Sequence, residues 1–484
     1  MPRISIDYQI LTSSLPLVFP VLLALQPGQK KRTRLPTLDA FLTGNFGTTT
    51  NAPFGTKGVL NSSPKVVADD IYAASLSSGY SHPVDWKVLL KMTREERRAF
   101  YAFLKTRVEH LLSSLDLNSP DATWHSFVRH LEQSDKASLS FLAGSTFSII
   151  AFQQWVNAAG REIKKIYHSH LYAPSMPSTF IQFQRSGDLR PDLIAIDDAN
   201  SWHIIESKGS ASAGMNARLV EGLEQVEAAQ SIQYANAAGG PQSFLTKQCV
   251  HTTIEAGSQV RIVLIDPPTD GETGNDGGDG SDSSDGDNDA QFVIEASIAD
   301  GLMMLEAIDI FHSWNPDHMQ TLADDDYVFG REIGTGGRLG IPRYFLWIED
   351  WLRSSFRIFF ALRQFFRMAG LELTLKAKES PGGVLSNPGL RPRRRIINKM
   401  REAGEWHLNY HERNIFHRVI RNLRSQHGHT MSIAPAVREI VSMLDIDLLC
   451  AWLSYELNAA RKKRKSDKRY RDLPSGLCLM SDAE

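Results

Sequence analysis

Cysteine is nearly missing from this 484-residue chain: there are three, Cys249, Cys450 and Cys478, far apart and with no CxxC pair. A disulfide framework and a cysteine zinc site are therefore excluded, and a reducing compartment fits, so a cytoplasmic protein is expected. Long apolar runs are missing too. The nearest, Leu11 to Leu25, is broken by Pro16 and Pro20, Asp7 weakens the basic start an export signal needs, and no small-x-small cleavage pattern follows. We read it as buried strand or loop and expect no membrane association. Two enzyme classes lack their motifs: there is no Gly-x-Ser-x-Gly elbow and no HExxH. His407, His411 and His417 with Glu412, followed by His427 and His429, thus read as surface or base-contacting histidines rather than zinc ligands. The run Gly334 to Gly340 lacks the Lys-Ser/Thr pair of a phosphate-binding loop and reads as a connector.

What is present is ordinary globular composition, 42% hydrophobic and 22% charged, which excludes global disorder and a coiled-coil rod. The length suggests two to four domains. The net charge of −2 hides a segregation. Asp270 to Asp289 holds eight acidic residues and no basic one, so the rest of the chain carries +6. Between Arg391 and Arg471 there are 19 Lys or Arg against 8 Asp or Glu, the asymmetry expected of a protein that meets a polyanion. Candidate phosphate contacts are Arg391, Arg393, Arg394 and Arg395, and the cluster Arg461, Lys462, Lys463, Arg464 and Lys465.

Along the chain, residues 1–140 read as a loop-rich stretch followed by a helical one, the latter carried by Leu89, Met92, Phe100, Leu104, Val108 and Leu111 at three- and four-residue spacing. Residues 141–320 change period. A helix is expected over Phe141 to Tyr172, then strands at Thr179 to Gln184, Pro191 to Asp197 and Ser201 to Lys208. A helix over Asn216 to Gln233 and a strand at Gln259 to Asp266 follow. Three short-linked strands make a meander and the second helix permits a crossover, so a mixed sheet with helices on its faces is expected. The Gly/Asp/Ser tract 270–289 reads as a flexible insertion; no register in it satisfies an EF-hand. Residues 321–484 read as mainly helical and basic, and Arg353, Arg357, Arg363 and Arg367 recur through the aromatic run Tyr344 to Met368, which excludes a membrane-spanning helix there.

Chemistry concentrates in Arg190-Pro191-Asp192-Leu193-Ile194-Ala195-Ile196 and, with thirteen residues between the acids, Glu206-Ser207-Lys208-Gly209. Glu206 and Lys208 are two apart on a strand and share a face. A hairpin turn at about Asp198 to Ser201 would bring Asp192 beside the Glu206 end if the sheet were bent or the register bulged. Two neighbouring carboxylates repel unless a cation lies between them, and hard oxygen ligands suit Mg²⁺ or Mn²⁺. With an adjacent ammonium, such a set suffices for phosphodiester hydrolysis. A strand-end salt bridge is the structural alternative.

The pattern Pro-Asp followed by Glu-x-Lys at the end of the next apolar strand resembles the signature of the PD-(D/E)XK, or restriction-endonuclease-like, nuclease superfamily. The resemblance covers roughly residues 141–310. It implies an α/β fold with an αβββαβ core, Asp192 and Glu206 as Mg²⁺ or Mn²⁺ ligands, and Lys208 as the residue that positions or activates water. It further suggests Glu162 as an acid from the first core helix, and Gln225 on the second, with Gln230 and Gln233 as alternatives. The implied function is a metal-dependent nuclease acting on DNA, in a restriction, antiphage-defence or mobile-element setting with protein partners; cutting both strands would call for a homo-oligomer. The other class of reading is a non-catalytic nucleic-acid-binding or assembly protein that keeps the fold as a scaffold.

Overall fold

The computed structural model describes residues 1–10, 58–78, 92–168, 181–183, 191–211, 214–227, 229–233, 241–266, 286–315, 322–323, 326–333, 337–379, 408–427, 444–464, 467 and 469–481. The elements in chain order begin with β1 (Ser5–Ile10), β2 (Gly58–Ser62), α1 (Ala68–Ser78), α2 (Arg94–Ser113), β3 (Leu115–Asp116), β4 (Thr123–Trp124) and α3 (Gln133–Ala158). Then come β5 (Ile163–His168), β6 (Ile181–Phe183), β7 (Leu193–Asp197), β8 (Trp202–Ser210), α4 (Met215–Glu227), β9 (Ala229–Gln233), β10 (Pro241–Thr253) and β11 (Arg261–Asp266). The last third holds α5 (Gly286–Trp314), β12 (Leu322–Ala323), β13 (Tyr327–Ile333), β14 (Gly337–Pro342), α6 (Arg343–Glu379), α7 (Tyr410–His427), α8 (Ile446–Arg464), β15 (Tyr470–Asp472) and β16 (Cys478–Met480).

The main sheet has the strand order β2-β1-β11-β10-β8-β7-β5, with β6 and β9 branching from β10. β5, β7 and β8 form an antiparallel meander, β10 lies parallel to β8, and β1 lies parallel to β11. The chain is therefore a mixed α/β protein. Because α4 separates β8 from the parallel β10, it supplies the crossover such a pair requires. α3 backs one face of β8, where Ser140 carries its carbonyl so close that a Cβ at Gly209 would fall 2.0 Å from it. Glycine is needed at that position for strand and helix to meet. All five residues of β7 are buried, as are the first five of β8, and each fully buried aliphatic side chain there contributes about 1.5–3 kcal/mol.

Several expectations are corrected. The helix read over 141–172 stops at Ala158. Gly160 takes the left-handed conformation (φ 73°), its N–H bonds to Asn157 O, and Arg161 N bonds to Val156 O, a Schellman stop that only a residue without Cβ enters freely. The following Ile163–His168 is the first meander strand, while Ile181–Phe183 pairs with β9 instead. The helix read over 216–233 ends at Glu227, and Gln230 and Gln233 lie in β9. β10 escaped the sequence reading because its buried positions include Thr246, Gln248, His251 and Thr252, so no apolar alternation marks it. The boundary expected near residue 141 cuts through one sheet, since β1 and β2 belong to it. α5 begins at Gly286, making the end of the acidic tract helical; 270–285, like Leu11 to Leu25, lies outside the described residues. No helix among the described residues is long and apolar enough to cross a membrane.

Candidate active site

The hairpin β7–β8 decides where the chemistry-bearing residues meet. Its turn is closed by Asp197 N to Ser201 O (3.1 Å) and Asn200 N to Asp197 O (3.1 Å), with Asn200 in the left-handed conformation (φ 61°) that asparagine tolerates better than most residues. From that turn the pairing runs without a bulge: Ile196 opposite Trp202, Leu193 opposite Ile205. The next position sets Asp192 opposite Glu206, so the bend or bulge anticipated from the sequence is not required. Two hydrogen bonds tie the pair together, Asp192 N to Glu206 Oε2 (2.9 Å) and Ser207 N to Asp192 Oδ2 (3.0 Å); Ser207 Oγ adds a third to Oδ2 at 2.6 Å. Beyond this point β7 is no longer alongside, while β8 continues to Ser210 against β10. The two strands part there, and Ser207 to Ser210 become partly exposed.

Lys208, two residues past Glu206, turns to the same face. Its Nζ donates to Glu206 Oε1 and, at 2.6 Å, to Gln225 Oε1 on α4. Gly222, one turn earlier on α4, lets the helix lie directly over this point: a Cβ there would come within 2.3 Å of Cys249 Sγ and 3.3 Å of Glu206 Cγ. Glu206 is fully buried, while the Lys208 side chain is 17% exposed. Burial, with the neighbouring Asp192, drives the Glu206 carboxyl well above its ordinary range, although Lys208 opposes this. Burial pulls the Lys208 ammonium down, but Glu206 and Asp192 together hold it above its usual value. The site thus sets two carboxyl groups beside one ammonium, and the cost of charging both falls on the buried Glu206.

The oxygen donors this site would offer a cation are two carboxyl groups. Among the described residues no three or more His, Cys, Asp or Glu side chains form a metal-binding group; Asp192 and Glu206 would supply two oxygen donors, and the remaining ligands of a hard divalent ion would come from backbone, water or substrate, as is usual for Mg²⁺.

The other anticipated residues are placed differently. Glu162 is not on the first core helix; it follows the Gly160 stop and is exposed. Its backbone exchanges contacts with Asp198, Glu162 N to Asp198 Oδ1 and Asp198 N to Glu162 O. That is the turn end of the hairpin, opposite Asp192. In the basic cluster on α8, Arg461 donates to Leu473 O, Lys463 Nζ lies 3.1 Å from both carboxylate oxygens of Asp326, and the Arg464 guanidinium stacks 3.6 Å from the Tyr327 ring centroid. Arg461 and Arg464 are thus tied into the packing of α8 against β13 and the chain before β16, while Lys462 is exposed. Lys465 and Arg391 to Arg395 lie outside the described residues. Of the histidine set, His411 and His417 are exposed and Glu412 is turned inward to Arg357.

Sequence reading missed Gly222, Ser207 and His251. A lone glycine within the α4 pattern was the available signal for the first. His251 sits on β10 opposite Lys208 in the parallel register, with Nε2 2.8 Å from Ser210 Oγ, and burial followed by the charge of Arg218 lowers it to about 4. A neutral imidazole therefore stands on β10 against the end of β8, at Ser210. Comparison with protein-family models, with curated proteins and with solved structures found no match to this chain.

Proposed function

We propose that this chain is a divalent-cation-dependent nuclease acting on DNA and built on a restriction-endonuclease-like core. The observation that carries the reading is the convergence of Asp192, Glu206 and Lys208 from two strands, with Gln225 from the crossover helix, where the strands part. The order α3-β5-β7-β8-α4-β10, with the antiparallel meander followed by a parallel strand, supports the fold assignment. Asp192 and Glu206 would hold the Mg²⁺ or Mn²⁺, which when bound supplies Lewis-acid polarisation of a phosphate oxygen and acidification of a bound water.

The chain's own residues do the rest. Ser207 fixes the Asp192 carboxylate from the backbone and the side chain, so its orientation is set before substrate arrives. Glu206 and Gln225 hold the Lys208 Nζ between them, and the two carboxylates keep it protonated. In that state it acts as a charged donor that orients water and stabilises negative charge developing on phosphate oxygens. α4, seated on Gly222, excludes water from the rear of Glu206 and strengthens these interactions.

The test is cleavage of supercoiled plasmid, linear duplex and single-stranded DNA with Mg²⁺, Mn²⁺ or EDTA, comparing the wild type with Glu206→Ala and Lys208→Ala. Metal-dependent cutting lost in both variants is expected. Folded wild type that cuts nothing, and whose calorimetric Mg²⁺ binding is the same in Asp192→Ala, would give the chain to the non-catalytic scaffold reading instead.

A further inference from the structure

Away from the nuclease-like site, two helices present an apolar face to solvent. Five large side chains on it are exposed: Trp347 (75%) and Trp351 (44%) on α6, and Leu448 (69%), Trp452 (42%) and Tyr455 (71%) on α8. The two groups are contiguous. Tyr344, one turn before Trp347, puts its ring 6.0 Å from that of Trp452. Farther along, Phe356 of α6 and Cys450 of α8 both close on Gly301. The Trp347 side of α6 therefore adjoins the Trp452 side of α8 through the Tyr344–Trp452 contact. Monomers seldom leave so large an apolar patch open. At ~150–250 Å² for a whole aromatic side chain, the exposed fractions come to about 600 Å², close to the roughly 800 Å² per partner of a standard interface.

The α8 stripe also identifies its occupant. Positions 448, 452, 455, 459 and 462 of the helix advance by 4, 3, 4 and 3, the spacing of a helix–helix seam, and Asp445, whose carbonyl accepts the first helical bond from Leu449 N, precedes them by three. They read Asp445, Leu448, Trp452, Tyr455, Ala459 and Lys462, and the acid at one end and the lysine at the other are both exposed. The series is self-complementary about its midpoint. Laid antiparallel on a second copy, Asp445 meets Lys462, Leu448 meets Ala459, and Trp452 meets Tyr455, each contact made twice as a two-fold axis demands. The antiparallel arrangement also sets the opposite ends of the two helix dipoles against each other. With Asp445 and Glu456 beside the aromatics, the face is unsuited to a nucleic-acid strand. We propose that it is a two-fold dimer interface in which α8 of one copy packs antiparallel on α8 of another, flanked by Trp347 and Trp351.

Sedimentation velocity on the full chain over micromolar concentrations tests this. A concentration-dependent dimer is expected, and Trp452→Glu with Tyr455→Glu should abolish it without changing far-ultraviolet circular dichroism. Lys462→Glu places like charges together and should weaken the dimer about three- to tenfold. Adding Asp445→Asn, which suits the left-handed backbone there (φ 50°), should restore most of the loss. A wild type that stays monomeric overturns the proposal, meaning that the face is covered by the chain itself or by a different protein. A dimer indifferent to the paired glutamate substitutions overturns it by placing the contact elsewhere. Failure of Asp445→Asn to rescue Lys462→Glu overturns the antiparallel register.

Discussion

Two buried ion clusters in this molecule look alike by inventory and differ in balance. Between α2, α5 and α6, Asp309 accepts from Arg97 (3.2 Å) and from Arg353 (2.5 and 3.2 Å), and Glu349 accepts from Arg353 (2.9 Å) while lying 2.8 Å from His312 Nε2. Two guanidinium groups meet two carboxylates, Arg353 through all three of its nitrogens and Arg97 through Nε. At the hairpin end, Glu206 accepts from the single ammonium of Lys208, and Asp192 acts on that ammonium through its charge alone. Burial favours balanced clusters, because an uncompensated charge in low dielectric costs several kcal/mol. The balanced cluster is therefore an internal tie between helices. The unbalanced one sets two carboxyl groups against one ammonium where two strands part, and the proposed function assigns the compensating charge to a divalent cation.

Activity separates the two clusters most sharply. Glu206→Gln keeps the size and a hydrogen-bonding carbonyl of the buried side chain, so unfolding free energy should change by no more than about 1 kcal/mol. Metal-dependent cleavage should nevertheless fall by ~10²–10³ or more. Chemical denaturation and plasmid cutting on the same preparation check both halves; equal, large losses in both would make this site as structural as the other.

The converse substitution comes next. Asp309→Asn leaves Arg97 and Arg353 buried without their shared carboxylate, and a loss of about 3–5 kcal/mol is expected. The urea midpoint reads it out, and the variant that still folds at low temperature should bind Mg²⁺ as the wild type does.

Gly222→Ala should act on both stability and site. The added methyl group cannot coexist with Cys249 Sγ at 2.3 Å, so α4 must shift, at a cost of about 1–3 kcal/mol. Replacing Cys249 by Ala in the same chain should recover part of the loss, because space returns at the point of collision. Thermal unfolding of the single and double variants measures it.

The smallest effect is in pH. Burial pushes the Glu349 carboxyl up, but hydrogen bonding from His312 and the charge of Arg353 carry it down to about 2, against an ordinary 4.5. The unfolded state then takes up the proton first as pH falls, so the stabilisation by Glu349 is complete above 4.5 and is lost as pH drops toward 2. The stability difference between wild type and Glu349→Gln should shrink across that interval in denaturation series.

Asp192, Glu206 and Lys208 were legible from local order alone. A period of two puts Glu206 and Lys208 on one face, and a short turn folds Asp192 back toward them; both facts involve fewer than twenty consecutive residues. Gln225 was legible to within one helix, since only where α4 stops separates it from Gln230 and Gln233. Glu162 was misplaced because the Ile and Tyr residues after Gly160 continue an apolar pattern that the left-handed glycine interrupts.

Residue order thus carries the hairpin, its acids and its lysine, because strand alternation and turn chemistry act over short separations. Folding in three dimensions added what depends on distant segments. β1 and β10 complete the sheet across wide gaps in sequence, and β10 brings Cys249 and His251 to the site with no apolar alternation to announce them. Arg461 and Arg464 looked like a nucleic-acid surface as letters, yet they turn toward Leu473 and Tyr327 because a partly buried cation is stabilised where a carbonyl or an aromatic face receives it. Charge counted along a chain says nothing of direction; packing decides which partner each cation meets.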